Sequence, residues 1–443
     1  MSKYGIISDK TGLKVVAELA KQTALLGTIA NTSVHAALVH DWPEMQSAIQ
    51  EGTGQLVMPV GTRFYQAFAD SHGAGDPVPY DAPWDVCHHG FGALADGEVL
   101  RVMYAQMHYC LPFSTQFSPY QAFLYSIDGL PAGTYSVSMG YSWSKVVSGK
   151  RYVFTLTQDL PAGGQLSGFE TCADANPETW KVKAWASRTS TSPTETVSVA
   201  EGDGGTSLGT FTAAGVPAPA DGTPSTQASV EIDGVTYRYY GLNSLQRVGY
   251  GNNRWLHSPL RQWLNSDLAS GWYEPKTVYD RPPSYVAYPG FLTMLPDDFV
   301  EAMRPVAQRT ALNYVTDGGT AAVPEFDTTY DKVFLPSWGQ HWLMPSQIYG
   351  STDAEGEGEA WEYWQRVAGT SQPLAASTGG HEETYHREYV QRGLEAGHPA
   401  RYVFMRSAYR GRGVNVAYVT SAGTCSFTNA CNGLYAAPAC AIG

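Results

Sequence analysis

The stretch His381-Glu-Glu-Thr-Tyr-His386 holds two histidines around a carboxylate, the residue types of a zinc hydrolase. Its spacing does not suit that chemistry. Three residues separate Glu382 from His386, so the histidines stand about 140° apart on a helix, and Gly379-Gly380 favours a loop. A solvated loop is the expectation. His88-His89 ends a strand-like run, which sends one ring inward and exposes the other. Asp353 to Glu359, Asp-Ala-Glu-Gly-Glu-Gly-Glu, gathers carboxylates that Ca²⁺ would accept but lacks a fixed ligand spacing, and is read as a solvated acidic loop. Gly411-Arg-Gly and Gly249-Tyr-Gly do not continue into a phosphate-binding fingerprint. Trp361, Tyr363 and Trp364 have the spacing of core aromatics, with a pocket wall as the alternative. Cys87, Cys110, Cys172, Cys425, Cys431 and Cys440 form no CxxC pair and read as reduced, mostly buried thiols. No catalytic residue, metal or cofactor is expected.

The chain's last forty or so residues differ from everything before them. From Arg406 onward there is no Lys, Glu, Gln, Met, Trp, Asp or His. Tuned ionisable groups, the material of catalysis, are almost absent. Tyr, Ser, Gly, Asn and Arg remain, the mixture of an antibody paratope, in which rigid aromatics supply area and small polar groups supply hydrogen bonds. This segment reads as a recognition surface.

The elements that must hold it are many and short. The chain has 443 residues, 46 Gly and 27 Pro, with only 16 % charged residues, which implies roughly two to three strand-rich, loop-rich domains. A net charge of −13 argues against electrostatic nucleic-acid binding. No signal-like apolar core or membrane-spanning run is visible, so synthesis in a cytoplasm without membrane insertion is expected.

Residues 1–55 read as a small tethering or oligomerising module, with a helix over Leu13 to Leu26 and a second one from the N-cap Asp41, with Pro43 in its first turn, to Gly52. From about 56 the pattern is β: Gln55 to Val60, Gly61 to Tyr65, Trp84 to His89 and Val99 to Tyr109. Residues 118–212 read as a separate small β-sandwich. There Tyr125-Ser-Ile-Asp-Gly-Leu-Pro-Ala-Gly is echoed by Phe154-Thr-Leu-Thr-Gln-Asp-Leu-Pro-Ala-Gly, each a strand running into a turn. Residues 201–226 read as a surface loop or linker. Beyond them, Ser258-Pro-Leu-Arg-Gln-Trp-Leu predicts a capped helix with Leu260, Trp263 and Leu264 on one face, and Pro296 to Met303 a second. Tyr330 to Ser337 and Arg401 to Ser407 predict strands.

Four motifs in order, Asn253-Arg-Trp-Leu-His-Ser-Pro-Leu-Arg-Gln-Trp-Leu-Asn-Ser, Asp331-Lys-Val-Phe-Leu-Pro-Ser, Tyr402-Val-Phe-Met-Arg-Ser-Ala and Ala437-Pro-Ala-Cys, resemble the variable proteins of diversity-generating retroelements, especially those of gut phages and prophages. The resemblance spans most of residues 55–443, and the β unit with its Leu-Pro-Ala-Gly turns is similar to an insertion found in such chains. It implies an α+β fold: a C-type-lectin-like domain of the formylglycine-generating-enzyme type, split into 56–117 and 213–443 around the inserted sandwich-like unit at 118–212, behind the N-terminal module. In that family a reverse transcriptase copies a template with errors at adenines. Asn codons, the favoured targets, then never become Lys, Glu, Gln, Met or Trp, and none of these follows Met405.

The resemblance implies a variable region at about 406–435. Tyr409, Arg412, Val414, Ala417, Thr420, Thr424, Ser426, Phe427, Thr428, Cys431 and Leu434 depart from the template-like pattern, Asn415, Asn429 and Asn432 match its Asn, and Tyr418 fills a further variable slot. These fifteen residues are the expected ligand contacts. Arg406, Ser407, Gly411, Gly423, Ala437 and Pro438 belong to a constant frame, and Val416, Val419 and Ala430 should anchor the segment inward. Replacing Tyr409, Tyr418 and Phe427 together by Ala is expected to abolish binding with little loss of stability. The implied role is attachment to an unknown host-surface ligand, protein or glycan, from a phage tail fibre tip. The partners are tail proteins and sister copies, a trimer being what a tail location suggests, so that avidity offsets modest affinity. Two alternatives stand beside it: a diversified adhesion protein of the bacterial surface, and an enzyme of the formylglycine-generating type using Cys425 and Cys431.

Overall fold

The computed structural model describes residues 41–443 apart from 72–77, 129–131, 142–150, 157–165, 168–182, 186–193, 203–204, 206, 215–225, 233, 242–246, 248–249, 278, 321, 345–355, 369–373, 376–400 and 421–424. The helix expected at Leu13 to Leu26, the second Leu-Pro-Ala-Gly turn, Cys172, Gly423, Thr424 and the pair His381 and His386 lie outside the described residues.

A five-stranded antiparallel sheet forms the base of an α+β, sheet-rich fold. Its order is β1 (Arg63–Asp70), β2 (Val78–Ala93), β3 (Val99–Met107), β23 (Ala439–Ile442) and β16 (Val333–Phe334). The end of the chain therefore sits inside the sheet. All four residues of β23 are buried, and their continuous run of small apolar side chains suits a strand covered on both faces. β2 carries a bulge between Val86 and His88. Beyond it the register runs unbroken through His88 and His89, so their alternation holds, but neither ring is exposed as expected: both are half-buried, and His89 Nε2 lies 2.8 Å from the Met58 carbonyl.

Helix α1 (Trp42–Gln50) starts as expected, with the Asp41 carboxylate accepting from Glu44 N at 2.8 Å and Pro43 in the first turn. It is not a detached tether. Trp42 stacks on Phe299 at 4.9 Å, and Gln46 Nε2 donates to the Gly443 carbonyl at 2.8 Å, so α1 is part of the core. The strand expected at Gln55 to Val60 is instead a helical turn, α2 (Gly54–Val57), which brings Val57 and Met58 under the sheet.

Strand pairing carries the inserted β unit past its expected end. One sheet joins β12 (Thr226–Ile232), β13 (Val235–Gly241), β5 (Ala122–Asp128) and β8 (Leu166–Ser167), with β9 (Lys183–Trp185) also on β5. A second joins β11 (Ser207–Ala214), β10 (Thr194–Glu201), β6 (Gly133–Tyr141) and β7 (Arg151–Leu156). Because β13 pairs with β5, the insert closes near Gly241, not at 212, and about a third of the expected 201–226 linker is the strand β11. Leu130 and Pro131 of the first Leu-Pro-Ala-Gly motif lie outside the described residues as well.

The remaining elements build a platform. Helix α3 (Pro259–Leu264) is capped by Ser258 Oγ, which accepts from Leu260 N and Arg261 N and donates to the Phe117 carbonyl, while Leu260, Trp263 and Leu264 face the core. Helix α4 (Asp297–Ala302) begins after Pro296, and helix α5 (Glu362–Ala368) follows the buried Trp361. β14 (Val306–Ala311) and β15 (Phe326–Asp331) form a hairpin; β17 (Leu343–Met344) runs parallel to β18 (Leu374–Ala375). Three antiparallel strands, β19 (Val403–Ala408), β20 (Asn415–Val419) and β21 (Cys425–Asn429), carry the terminal segment, and β22 (Gly433–Leu434) pairs with β4 (Thr115–Gln116).

Candidate functional site

The four sequence motifs meet at the floor of the β19–β21 sheet. Asp331 accepts from Trp255 Nε1 at 3.1 Å and Arg261 Nε at 2.7 Å, and Asn265 brackets Val333 through both its amide atoms, tying the first motif to the second. Burial raises the Asp331 carboxyl above its ordinary range, opposed by Arg261 and the hydrogen bonds of Thr329 and Trp255. Val333 pairs with Cys440 in the central sheet. Arg406 joins the second motif to the third: its backbone N–H reaches the Pro336 carbonyl at 3.2 Å and its Nη1 the Leu335 carbonyl at 2.9 Å.

Arg406 is fully buried and spends its guanidinium on carbonyls of Leu335, Arg309 and Glu357 and on Gln340 Oε1. Burial lowers it to about 10, against the opposing pull of Glu357 and Asp331. Glu357 corrects the solvated-loop reading of its stretch: it is buried, accepts from Ala311 N at 2.9 Å and from Ser407 Oγ, and burial holds its carboxyl above the usual range. Asp353 to Glu355 lie outside the described residues.

The turn from β19 to β20 is held from outside the segment. Asn253 Nδ2 donates to the carbonyls of Arg412 at 2.7 Å and Asn415 at 2.9 Å and lies 3.4 Å from that of Tyr409. Asn313 steadies Asn253 through its Oδ1 at 3.0 Å. Arg247, paired with Asp317 at 2.6 Å, lies 3.4 Å from the Gly413 carbonyl, and Tyr314 N donates to the Arg410 carbonyl at 3.0 Å. Five successive or near-successive carbonyls are thus fixed by groups whose types do not depend on residues 409, 412 or 414. At the far end Ser118 N bonds the Ala430 carbonyl and Cys431 N the Tyr250 carbonyl. Gly251 makes that approach possible: its φ is +82°, and a Cβ there would lie 2.5 Å from the Ser118 carbonyl.

On this frame Arg412 and Asn432 are exposed, and Tyr409, Tyr418, Thr420, Ser426, Phe427, Thr428 and Asn429 are half-buried. Phe427 is stacked between Trp338 at 4.7 Å and Tyr409 at 4.6 Å. Five expected contact residues are corrected to interior ones: Val414, Asn415, Ala417, Cys431 and Leu434 are each at most 9 % exposed. β20 is the middle strand, so its small side chains lie under larger neighbours; Ala417 pairs with Phe427, and Asn415 Nδ2 donates to Asn429 Oδ1 at 3.1 Å. Leu434 is covered by β4, and Cys431 packs where Gly251 and Tyr250 close in. Val416, Val419 and Ala430 point inward as expected.

The expectation that Tyr409, Tyr418 and Phe427 can be lost at little cost to stability does not suit this packing, since Tyr418 and Phe427 pack against the core. Three further aromatics around the face were not singled out as site residues: Tyr314 and Tyr402, 40 % and 47 % exposed, and the buried Trp338 beneath Phe427. Tyr402 meets Tyr418 edge-on at 5.7 Å. Only Tyr402 carried a signal, standing inside a predicted strand and at the head of the third motif.

Chemically the face offers ring surfaces, amides, hydroxyls and the guanidinium of Arg412. Cys425 and Cys431 are buried thiols outside any disulfide, and burial raises both, Cys431 to about 11, so neither supplies a thiolate near neutrality. Cys87, Cys110 and Cys440 are likewise buried thiols outside any disulfide, and Trp361 and Trp364 are core residues. Among the described residues no three His, Cys, Asp or Glu gather to hold a metal, and no helix is long and apolar enough to cross a membrane.

The sequence pattern of a family described as a domain of unknown function (DUF6273) matches residues 235–443, from the first residue of β13 to the end of the chain. The match takes in the platform, the terminal segment and β23, but not β1 to β3, on which β23 pairs. Neither the curated proteins nor the solved structures yield a match.

Proposed function

We propose that the chain is a ligand-recognition protein of the C-type-lectin-like, retroelement-diversified class, presenting the β19–β21 face to a host-surface ligand from a phage tail tip. One observation carries this reading. The backbone of residues 409–415 is fixed through its carbonyls by Asn253, Arg247 and Tyr314, outside the segment, while Arg412 is exposed and Tyr409 half-exposed on Phe427. A surface can accept many side chains only if its main chain does not depend on them. The lectin-like assignment is supported by the four resembling motifs, which hydrogen-bond into one platform beneath that face. The raised thiols of Cys425 and Cys431 speak against the enzymatic alternative.

The test is population sequencing of the gene followed by adsorption. Substitutions should concentrate at Tyr409, Arg412, Tyr418, Thr420, Ser426, Phe427, Thr428, Asn429 and Asn432 and spare Asn253, Arg247 and Arg406. Purified protein should compete with virions for the host, and Arg412→Glu with Tyr409→Ala should weaken competition about tenfold or more. An invariant terminus, or substitutions spread evenly across the platform, would sink the reading.

A further inference from the structure

A concave site lies outside the terminal segment, between β2, β14 and the loop before α5, with a volume of about 330 Å³. That is enough for a small ligand. Tyr104 and Trp361 stack at 5.6 Å in its wall, His88 stacks on Tyr104 at 6.1 Å, and Phe91, 63 % exposed, stands at the rim. Two glycines in the left-handed region, Gly356 (φ +101°) and Gly358 (φ +131°), shape the loop so that Glu357 turns inward while Glu359 stays exposed. Gly90 keeps the space beside His88 open: a Cβ there would lie 3.0 Å from His88 Nε2.

Several polar groups lining this pocket keep hydrogen-bonding capacity that the protein itself does not use. Gln308 is only 2 % exposed, yet its side-chain amide makes no hydrogen bond. Gln340 gives its oxygen to Ser337 N and Arg406, but its amide NH₂ finds no acceptor. Neither ring nitrogen of His88 makes a hydrogen bond; its Nε2 stands 3.5 Å from Glu359 Oε2. The amides of Gln308 and Gln340 stay open to the cavity and offer donors and acceptors side by side to a bound molecule, whereas only the His88 ring nitrogens are buried without a partner. Charge is balanced there: Glu357 lies beside Arg406, and the rim holds Glu359 and Arg309. An ion gains little. A partner that both donates and accepts at adjacent positions, with an apolar face for the aromatic wall, gains most.

We propose that this pocket binds a neutral polyhydroxylated ring, a sugar residue, either free or at the end of a glycan. The site is independent of the β19–β21 face and of the recognition role argued for it. The test titrates the full chain with methyl glycosides of neutral hexoses and N-acetylhexosamines, by saturation-transfer NMR and calorimetry. At least one should bind, and Gln308→Ala and Gly90→Val should each weaken it about tenfold or more, while Tyr409→Ala leaves it unchanged. Thermal melts check that the variants fold. Phe91→Ala, at the exposed rim, keeps the test decisive if they do not, with an expected loss of about threefold. Immobilised neutral polysaccharide separates the sources, since tighter binding there than to the glycoside assigns a glycan end. No binding of any neutral glycoside to the folded chain, binding that all three pocket variants leave intact, or a preference for acidic sugars or amino acids overturns the proposal.

Discussion

Asn253 does more for the terminal face than any residue within it. Removing its amide strands the carbonyls of Arg412 and Asn415, so Asn253→Ala should cost about 2 kcal/mol in urea unfolding and speed hydrogen exchange across residues 409–415. Asn253→Asp, which sets a carboxylate against those carbonyls, should cost more. Phe427→Ala removes a half-buried ring from between Trp338 and Tyr409, and about 2 kcal/mol is expected to be lost with it. Glu357 yields a pH prediction. Burial raises its native pKa above the unfolded 4.5, so in that interval the folded state binds more protons than the unfolded one. Its contribution is fully present below pH 4.5 and is lost as pH rises through the raised value. Denaturant midpoints over a pH series should therefore show the wild type losing ground to Glu357→Gln as pH climbs above 4.5; the opposite slope would count against its burial. None of this was legible beforehand. Asn253 stood in a quoted motif without a stated reason, and Glu357 lay in a run whose composition reads as solvated.

Elements were legible where their signals are local. Asp41 and Ser258 each cap their helix within three residues of themselves, and Pro43 and Pro259 stand in the first turns the caps predict. Ser258 also donates to the Phe117 carbonyl, so Ser258→Ala should cost about 1–2 kcal/mol in thermal or denaturant unfolding. Trp42→Ala tests whether α1 is core or tether: against Phe299 and Phe64 it should cost about 3 kcal/mol, whereas a detached module would leave the main transition unmoved. Misreadings fell where tertiary pairing overrides local pattern. Gln55 to Val60 has strand-like residues yet forms a helical turn, and residues 207–214, rich in small residues, become β11 because β10 lies alongside.

At the scale of the whole molecule, the chain returns on itself twice. β23 slots between β3 and β16, and the inserted sheets begin and end at one place, where Gln121 N donates to the Arg247 carbonyl at 3.2 Å. Since these ends already touch, replacing residues 122–243 with a short Gly/Ser linker should leave a folded platform with a single cooperative melt by circular dichroism. Loss of cooperative unfolding would show that the insert is part of the core. Arg247 adds a limit, because its contact with the Gly413 carbonyl ties the exit of the insert to the terminal face, and the linker must stop before it.

The amino-acid sequence alone determined the helix caps, the alternating strands of the insert and the terminal segment's poverty in ionisable groups. These follow from hydrogen bonds and periodicities spanning a few residues. Tertiary structure decided which side chains of that segment reach solvent, where the insert closes, and that Glu357 and Arg406 share a dry interior. Each of those depends on neighbours far apart in the chain, as Asn253 is from Asn415 and β4 from β22, and exposure is a property of what lies across a strand, not of the residue before or after.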